Sequence, residues 1–180
     1  MKGIFFSEFV DMVERVYSPE MADAIIEGSA LVSEGVYTAG GSYDYRELLA
    51  LSEKLSEQTG IPSDKLLEDF GKHMFGRLCS RYPDFFCGTG SAFDFLSHLE
   101  EHIHTEIRKI YPDCELAAFV PWQPDPQTLV LTYTSPRPFA AMALGLMKGC
   151  CCHFQEPIAI AQEDLSTQRV TRFRFTLKHF

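Results

Sequence analysis

The chain has 180 residues, 46% of them hydrophobic with 15 Phe and 7 Tyr, so its length and apolar content predict one domain, residues 1–180, with a sizeable core. The formal net charge of −9 argues against a surface that binds nucleic acid or an anionic membrane. The chain has no apolar stretch of about 18 residues, and acidic residues occur too early in it for a signal peptide. We therefore expect a soluble, cytoplasmic protein.

The first half of the chain predicts helices that are separated by short breaks. Apolar residues recur there at helical spacing, and Ser18-Pro19 precedes the second helix. Gly40-Gly41-Ser42 marks a loop, and an aromatic loop covers residues 82–90. The predicted helices span residues 4–16, 21–27, 45–58, 63–78 and 91–111.

The second half of the chain alternates apolar and polar residues, which predicts strands. Strands at residues 116–122 and 128–134 are linked by Gln123-Pro124-Asp125-Pro126, a hairpin signal. A helix is expected over residues 138–154, because Pro138 can open it, and two strands close the chain. In the last strand, basic residues alternate with three apolar ones, Phe173, Phe175 and Leu177. The sequence therefore predicts an α+β fold, with an all-helical first half followed by a helix on an antiparallel sheet.

Three histidines fall on the predicted 91–111 helix, and its periodicity separates them. With a rotation of about 100° per residue, His104 lies in line with Phe93 and faces the interior, whereas His98 and His102 lie on the far, polar face. The core stripe of this helix consists of Leu96, Leu99, Ile103, Ile107 and Ile110. An inward histidine is either a metal ligand or a core imidazole bonded to a backbone carbonyl. His98 and His102 could hold a metal together, but no third ligand is near them in sequence.

A polar triplet lies at the end of the strand expected at residues 128–134. Tyr133, Ser135 and Arg137 are two residues apart and project to one face of the chain. Two hydroxyls and a guanidinium suit a carboxylate or a phosphate, because Arg binds such groups through two parallel bonds. The alternative is an ordinary strand end with a surface arginine. A heme would need both an iron ligand and donors for its two propionates.

These segments resemble the H-NOX (heme-nitric oxide/oxygen binding) family, relatives of the heme domain of soluble guanylate cyclase. The likeness covers the whole chain and includes Met1-Lys2-Gly3-Ile4, residues 103–111, the triplet, and Leu144-Gly145-Leu146-Met147-Lys148-Gly149. It implies that His104 is the proximal ligand of a heme b iron and that Tyr133, Ser135 and Arg137 hold the propionates. It also implies a heme between a helical N-terminal lobe and a C-terminal lobe of antiparallel sheet with packed helices.

The resemblance also implies which gas is bound. Oxygen-binding members use a tyrosine, supported by Trp and Asn, to donate a hydrogen bond to O2. The matching positions here are Met142, Phe9 and Met74, which form an apolar wall with Phe5 and Leu146. Because O2 needs such a donor and NO does not, we expect the ferrous protein to bind NO and CO and to exclude O2.

Signalling is expected through weakening of the bond from iron to His104 when NO binds, with a shift of the 91–111 helix. Stand-alone relatives act on a histidine kinase or a cyclic-di-GMP enzyme. Ala117 stands where many relatives have a proline that distorts the heme, so a flatter heme is expected. Residues 162–180 have no cysteine and only His179, which argues against the zinc site of some relatives.

The cysteines leave one question open. Three of the six are consecutive, which does not suit a disulfide framework and favours a reducing compartment. The expected use of Cys150, Cys151 and Cys152 is packing of a small-residue helix on the sheet. A redox role is the alternative for them, as it is for Cys79, Cys87 and Cys114.

No enzyme is expected, because the chain lacks a Gly-rich phosphate loop, a Ser/His/Asp order and metal-ligand spacing. The alternatives to an NO sensor are an O2- or redox-responsive heme sensor and a module that binds a small molecule other than heme.

Overall fold

The computed structural model describes the backbone of residues 1–180 and the side chains of all of them except His102. The chain forms two compact units, Met1–Phe70 and Gly71–Phe180. It is an α+β fold with a four-stranded antiparallel sheet, as the sequence predicts. No helix in the described chain is long and apolar enough to cross a membrane.

The unit Met1–Phe70 is helical, and capping residues mark where its helices begin and end. Its helices are α1 (Gly3–Val16), α2 (Pro19–Glu27), α3 (Tyr45–Thr59) and the start of α4 (Ser63–Arg81). Ser18 caps α2 by accepting from the backbone N–H of Met21, with Pro19 at the first helical position. The helix α3 ends at Gly60, whose φ of 73° is left-handed and favours glycine. The core of the unit consists of fully buried side chains, namely Phe6, Phe9, Val13, Ile25, Leu48, Leu51, Leu55 and Phe70.

The unit Gly71–Phe180 combines the rest of α4 with the sheet. Its elements are a 3-10 turn (Pro83–Phe86), α5 (Ala92–Ser97), a π-helical segment (Leu99–His104), α6 (Thr105–Ile110), β1 (Ala118–Asp125), β2 (Thr128–Ser135), α7 (Ala140–His153), β3 (Ile158–Asp164) and β4 (Thr171–His179). The strand order is β1-β2-β4-β3, and every neighbouring pair is antiparallel.

One face of this sheet is buried against helices. The inward residues of β2 and β4 form one cluster with α5 and α7, and the basic residues of β4 alternate with them on the exposed side. The helices α4 and α7 approach closely, since a Cβ on Gly71 would lie 2.1 Å from the carbonyl oxygen of Met142. The inward sheet residues are Leu129, Leu131, Tyr133, Phe175 and Leu177.

The predicted helix over residues 91–111 differs from the observed structure. It is broken into α5, the π-helical segment and α6. A π-helix bonds each residue to the fifth one along the chain, so the rotation per residue is smaller than in an α-helix. The rotation used to place the core stripe is therefore wrong beyond this segment, and Ile110 is 54% exposed. Leu96 and Ile103, before that point, do contact the core.

Candidate functional site

His104 ends the π-helical segment and is 8% exposed, so its predicted inward facing is confirmed. Its Nδ1 lies 3.0 Å from a carboxylate oxygen of Glu100. Because a carboxylate accepts hydrogen bonds, Nδ1 holds the proton and Nε2 has the lone pair. Burial lowers the pKa of the His104 imidazole, and the nearby Glu100 charge opposes this only in part. The ring is therefore neutral at neutral pH, which is the form that binds a metal.

Glu100 is a site residue that the sequence reasoning missed. One of its oxygens accepts both from His104 and, at 2.9 Å, from the backbone N–H of Phe119. The other accepts from the guanidinium of Arg108 at 3.4 Å. The spacing of four residues between Glu100 and His104 on a predicted helix is the signal that could have found it.

The Tyr-Ser-Arg triplet lies at the end of β2. Tyr133 and Ser135 are buried, and the Arg137 side chain is 17% exposed. Ser135 accepts from the backbone N–H of Arg137 at 3.0 Å. Burial raises the pKa of Tyr133, while a hydrogen bond with Ser135 and the charge of Arg137 lower it in part. The three side chains therefore lie together at one margin of the sheet.

The guanidinium of Arg137 already binds a carboxylate in this structure. It donates to Glu115, whose side chain is 71% exposed. Such an exposed partner contributes little stability and can be exchanged. Arg137 is thus within reach of a carboxylate at the surface.

One aromatic ring connects the histidine with the triplet. Phe119 on β1 pairs with Tyr133 on β2, and their ring centroids lie 5.3 Å apart. The centroid of Phe119 also lies 6.0 Å from that of His104. The imidazole and the start of the triplet thus contact the same side chain. Ala117, half-buried just before β1, packs against the same core cluster.

The five residues expected on the gas-binding side are apolar, but they belong to different units. Phe5 and Phe9 lie on α1 of the unit Met1–Phe70. Met74 on α4, with Met142 and Leu146 on α7, belongs to Gly71–Phe180. Phe9, Met74 and Met142 are buried, and the other two are half-buried. Nothing in this set of side chains donates a hydrogen bond.

The remaining predicted residues do not form a second metal site. His98 is exposed, and its Nδ1 lies 2.9 Å from the carbonyl oxygen of Asp94. The side chain of His102 lies outside the described residues, so the pairing of these two histidines is not described. Among the described side chains, no group of three or more His, Cys, Asp or Glu could hold a metal ion.

The donor set of unit Gly71–Phe180 fits a heme. A buried, neutral imidazole would serve as a nitrogen ligand of a heme iron. Two hydroxyls and a guanidinium at a surface margin suit propionate carboxylates. Aromatic and aliphatic side chains, such as Phe119, suit the faces of a macrocycle.

Comparison with known proteins points the same way. The Haem-NO-binding family profile matches residues 2–162. An Fe(II) unliganded H-NOX protein from K. algicida is 38% identical, with a TM-score of 0.93 over 100% of this chain and 97% of its own. A variant H-NOX protein from S. oneidensis in the Fe(II) ligation state is 25% identical, with a TM-score of 0.90 over 100% of this chain and 96% of its own.

A more distant likeness concerns the fold alone. A variant of T. tengcongensis H-NOX is 20% identical, with a TM-score of 0.89 over 99% of this chain and 97% of its own. No curated protein sequence matches the chain.

Proposed function

The chain belongs to the Haem-NO-binding (H-NOX) family, and we propose that residues 1–180 act as one heme-based gas sensor that is selective for NO. Its cofactor would be heme b, held by His104 as a ligand of the iron. The sensor has no catalytic activity of its own and works in the cytoplasm.

The main support is the state of His104. The imidazole is buried and neutral, and the bond from Nδ1 to Glu100 turns Nε2, the metal-binding nitrogen, away from that carboxylate. The partner of Nδ1 is a carboxylate and not a backbone carbonyl. An imidazole whose second nitrogen is bonded to a carboxylate is the usual arrangement of a metal-binding histidine.

The triplet is assigned to the propionates. Tyr133 and Ser135 offer hydroxyl donors, and Arg137 offers a guanidinium that already binds the carboxylate of Glu115. A propionate would replace Glu115 at Arg137, because the Glu115 side chain is mostly exposed and can turn into water. Ala117 stands before β1 at the position where many relatives have a proline that distorts the heme, so a heme bound here would be flatter.

Selectivity follows from the gas-binding side. A heme held by His104 would supply an iron that binds a diatomic gas, and binding of NO would weaken the bond from that iron to His104. The apolar side chains at Phe5, Phe9, Met74, Met142 and Leu146 donate no hydrogen bond. Iron-bound O2 carries negative charge and needs a hydrogen-bond donor, so it would not be retained there, whereas NO and CO need no donor.

The signal would pass through the backbone segments next to His104. If NO released the imidazole from iron, the π-helical segment, which ends at His104, and α6, which begins at the next residue, would be free to shift. Such a shift biases the populations of two conformations that a partner distinguishes. The partner is a signalling protein such as a histidine kinase or a cyclic-di-GMP enzyme.

The test is replacement of the proposed ligand. His104→Gly should lose heme on purification and regain a Soret band when imidazole is added, because imidazole can fill the space of the side chain. His98→Gly, on an exposed site six residues away, is the matched control and should keep its heme. Equal heme content in the two variants without imidazole would show that His104 is not the iron ligand. A wild-type protein that takes up no heme would favour the alternative, a module that binds a small molecule other than heme.

A further inference from the structure

The carboxylate of Glu100 has more hydrogen-bonding partners than a surface helix residue needs. Its oxygens accept from the His104 ring at 3.0 Å, the Phe119 backbone N–H at 2.9 Å and the Arg108 guanidinium at 3.4 Å. These donors belong to the π-helical segment, β1 and α6. One carboxylate therefore connects the proposed iron ligand with an edge strand and with the next helix.

The local backbone accounts for this position. Residues Leu99–His104 are π-helical, and the hydroxyl of Thr105 donates at 3.0 Å to the carbonyl oxygen of Glu100, five residues earlier. Single π-helical turns are rare and cluster at functional sites. The Phe119 contact crosses nineteen residues of sequence, so it holds the segment to the sheet rather than to itself.

We propose that Glu100 is a positioning residue that sets how strongly His104 donates to iron; this inference rests on the heme binding proposed above. A carboxylate that accepts a hydrogen bond from Nδ1–H raises the electron density on the other ring nitrogen. A stronger donor favours ferric over ferrous iron and strengthens the bond to the metal. Glu100 thereby also sets how readily NO breaks that bond.

The other two partners of Glu100 moderate this effect. The N–H of Phe119 and the guanidinium of Arg108 share the charge of the carboxylate, so the His104 ring receives only part of it. They also fix the orientation of the carboxylate, and through it that of the ring. Loss of Arg108 should therefore act in the direction opposite to loss of the Glu100 charge.

The test compares Glu100→Gln with Glu101→Gln. Both remove one negative charge from adjacent positions of the π-helical segment, but Glu101 is exposed, and only Glu100 bonds the His104 ring. Each reconstituted protein is measured by spectroelectrochemical titration and by resonance Raman spectroscopy of the ferrous iron-histidine stretch. Glu100→Gln should shift the ferric-to-ferrous equilibrium toward ferrous by about tenfold, or about 59 mV for one electron, and lower the stretching frequency. Glu101→Gln should change both much less.

A second pair keeps the test decisive if Glu100→Gln loses its heme or fails to fold. Arg108→Gln should raise the stretching frequency and favour ferric iron, whereas Lys109→Gln, exposed and bonded to Glu106, should not raise the frequency. An unchanged stretching frequency in Glu100→Gln, or in Arg108→Gln where Glu100→Gln holds no heme, would refute the role of Glu100 while heme binding stands. A wild-type protein without heme would instead refute the proposed function.

Discussion

Replacement of Arg137 by leucine should speed the loss of heme, and the structure sets the size of the effect. A hydrogen bond to a charged group contributes about 1.5–3 kcal/mol. In the heme-free chain the guanidinium already binds Glu115, and an exposed pair of that kind is worth about 0–1 kcal/mol. The exchange of one carboxylate for the other leaves about 1–2 kcal/mol, which corresponds to about a 5- to 30-fold faster dissociation if the association rate is unchanged.

The assay is transfer of heme to excess apomyoglobin, followed by the change of the Soret band. Arg174→Leu is the matched control, because it removes the same charge from β4, where Arg174 is half-exposed and paired with Glu163. Its rate should equal that of the wild type. If Arg137→Leu released heme no faster than Arg174→Leu, the assignment of the triplet to the propionates would be wrong.

Two predictions concern the unit Gly71–Phe180 itself. Gly149→Ala should lower the free energy of unfolding, measured in urea, by about 1–3 kcal/mol, because the new Cβ would lie 2.6 Å from the Cβ of Phe75. The control Gly76→Ala, whose Cβ would have no atom within 4 Å, should be neutral or stabilising. Equal losses of stability in the two variants would contradict the packing of α4 on α7. Burial raises the pKa of the Cys151 thiol to about 11, so at pH 8 only about one thiol in a thousand is the reactive thiolate. The exposed Cys152 should therefore react with iodoacetamide before Cys151 does. Mass spectrometry of the labelled peptide should show the Cys151 rate rising about tenfold per pH unit up to pH 11, and fast labelling of Cys151 at pH 8 would contradict its burial.

Most of the helices could be predicted because their signals are local. The helix expected at 45–58 is observed at Tyr45–Thr59, with Asp44 as its cap and Gly60 at its end. The sheet followed from alternation, which shows that Phe175 and Leu177 share a face whatever their partner strands are. The hairpin turn shifted slightly, since β1 continues through Asp125 and the turn falls at residues 126–127.

The π-helical segment could not be predicted, because long-range bonds stabilise it. Its geometry depends on the contact from Glu100 to Phe119, which lies on a strand that sequence periodicity does not place beside the helix. The inward facing of His104 was nevertheless correct, since the segment starts only five residues before it and the rotation error is still small. At Ile110 the error has grown enough to expose a predicted core residue.

The candidate site was only partly accessible to sequence reasoning. The spacing of Tyr133, Ser135 and Arg137 on one strand was enough to group them. The contact of Phe119 with both His104 and Tyr133 needed the pairing of β1 with β2, and the carboxylate of Glu115 at Arg137 needed the loop before β1. Side chains that meet across strands and loops depend on register, which no local pattern specifies here.

An NO-selective heme held by His104 would be visible in the absorption spectrum of the reduced protein. The ferrous protein should show the same Soret band in air as under argon, and addition of NO should shift it to the blue as the bond to His104 breaks. A stable oxygen-bound spectrum in air would rule out selectivity for NO, and an NO complex in which the iron-histidine stretch persists would rule out release of His104.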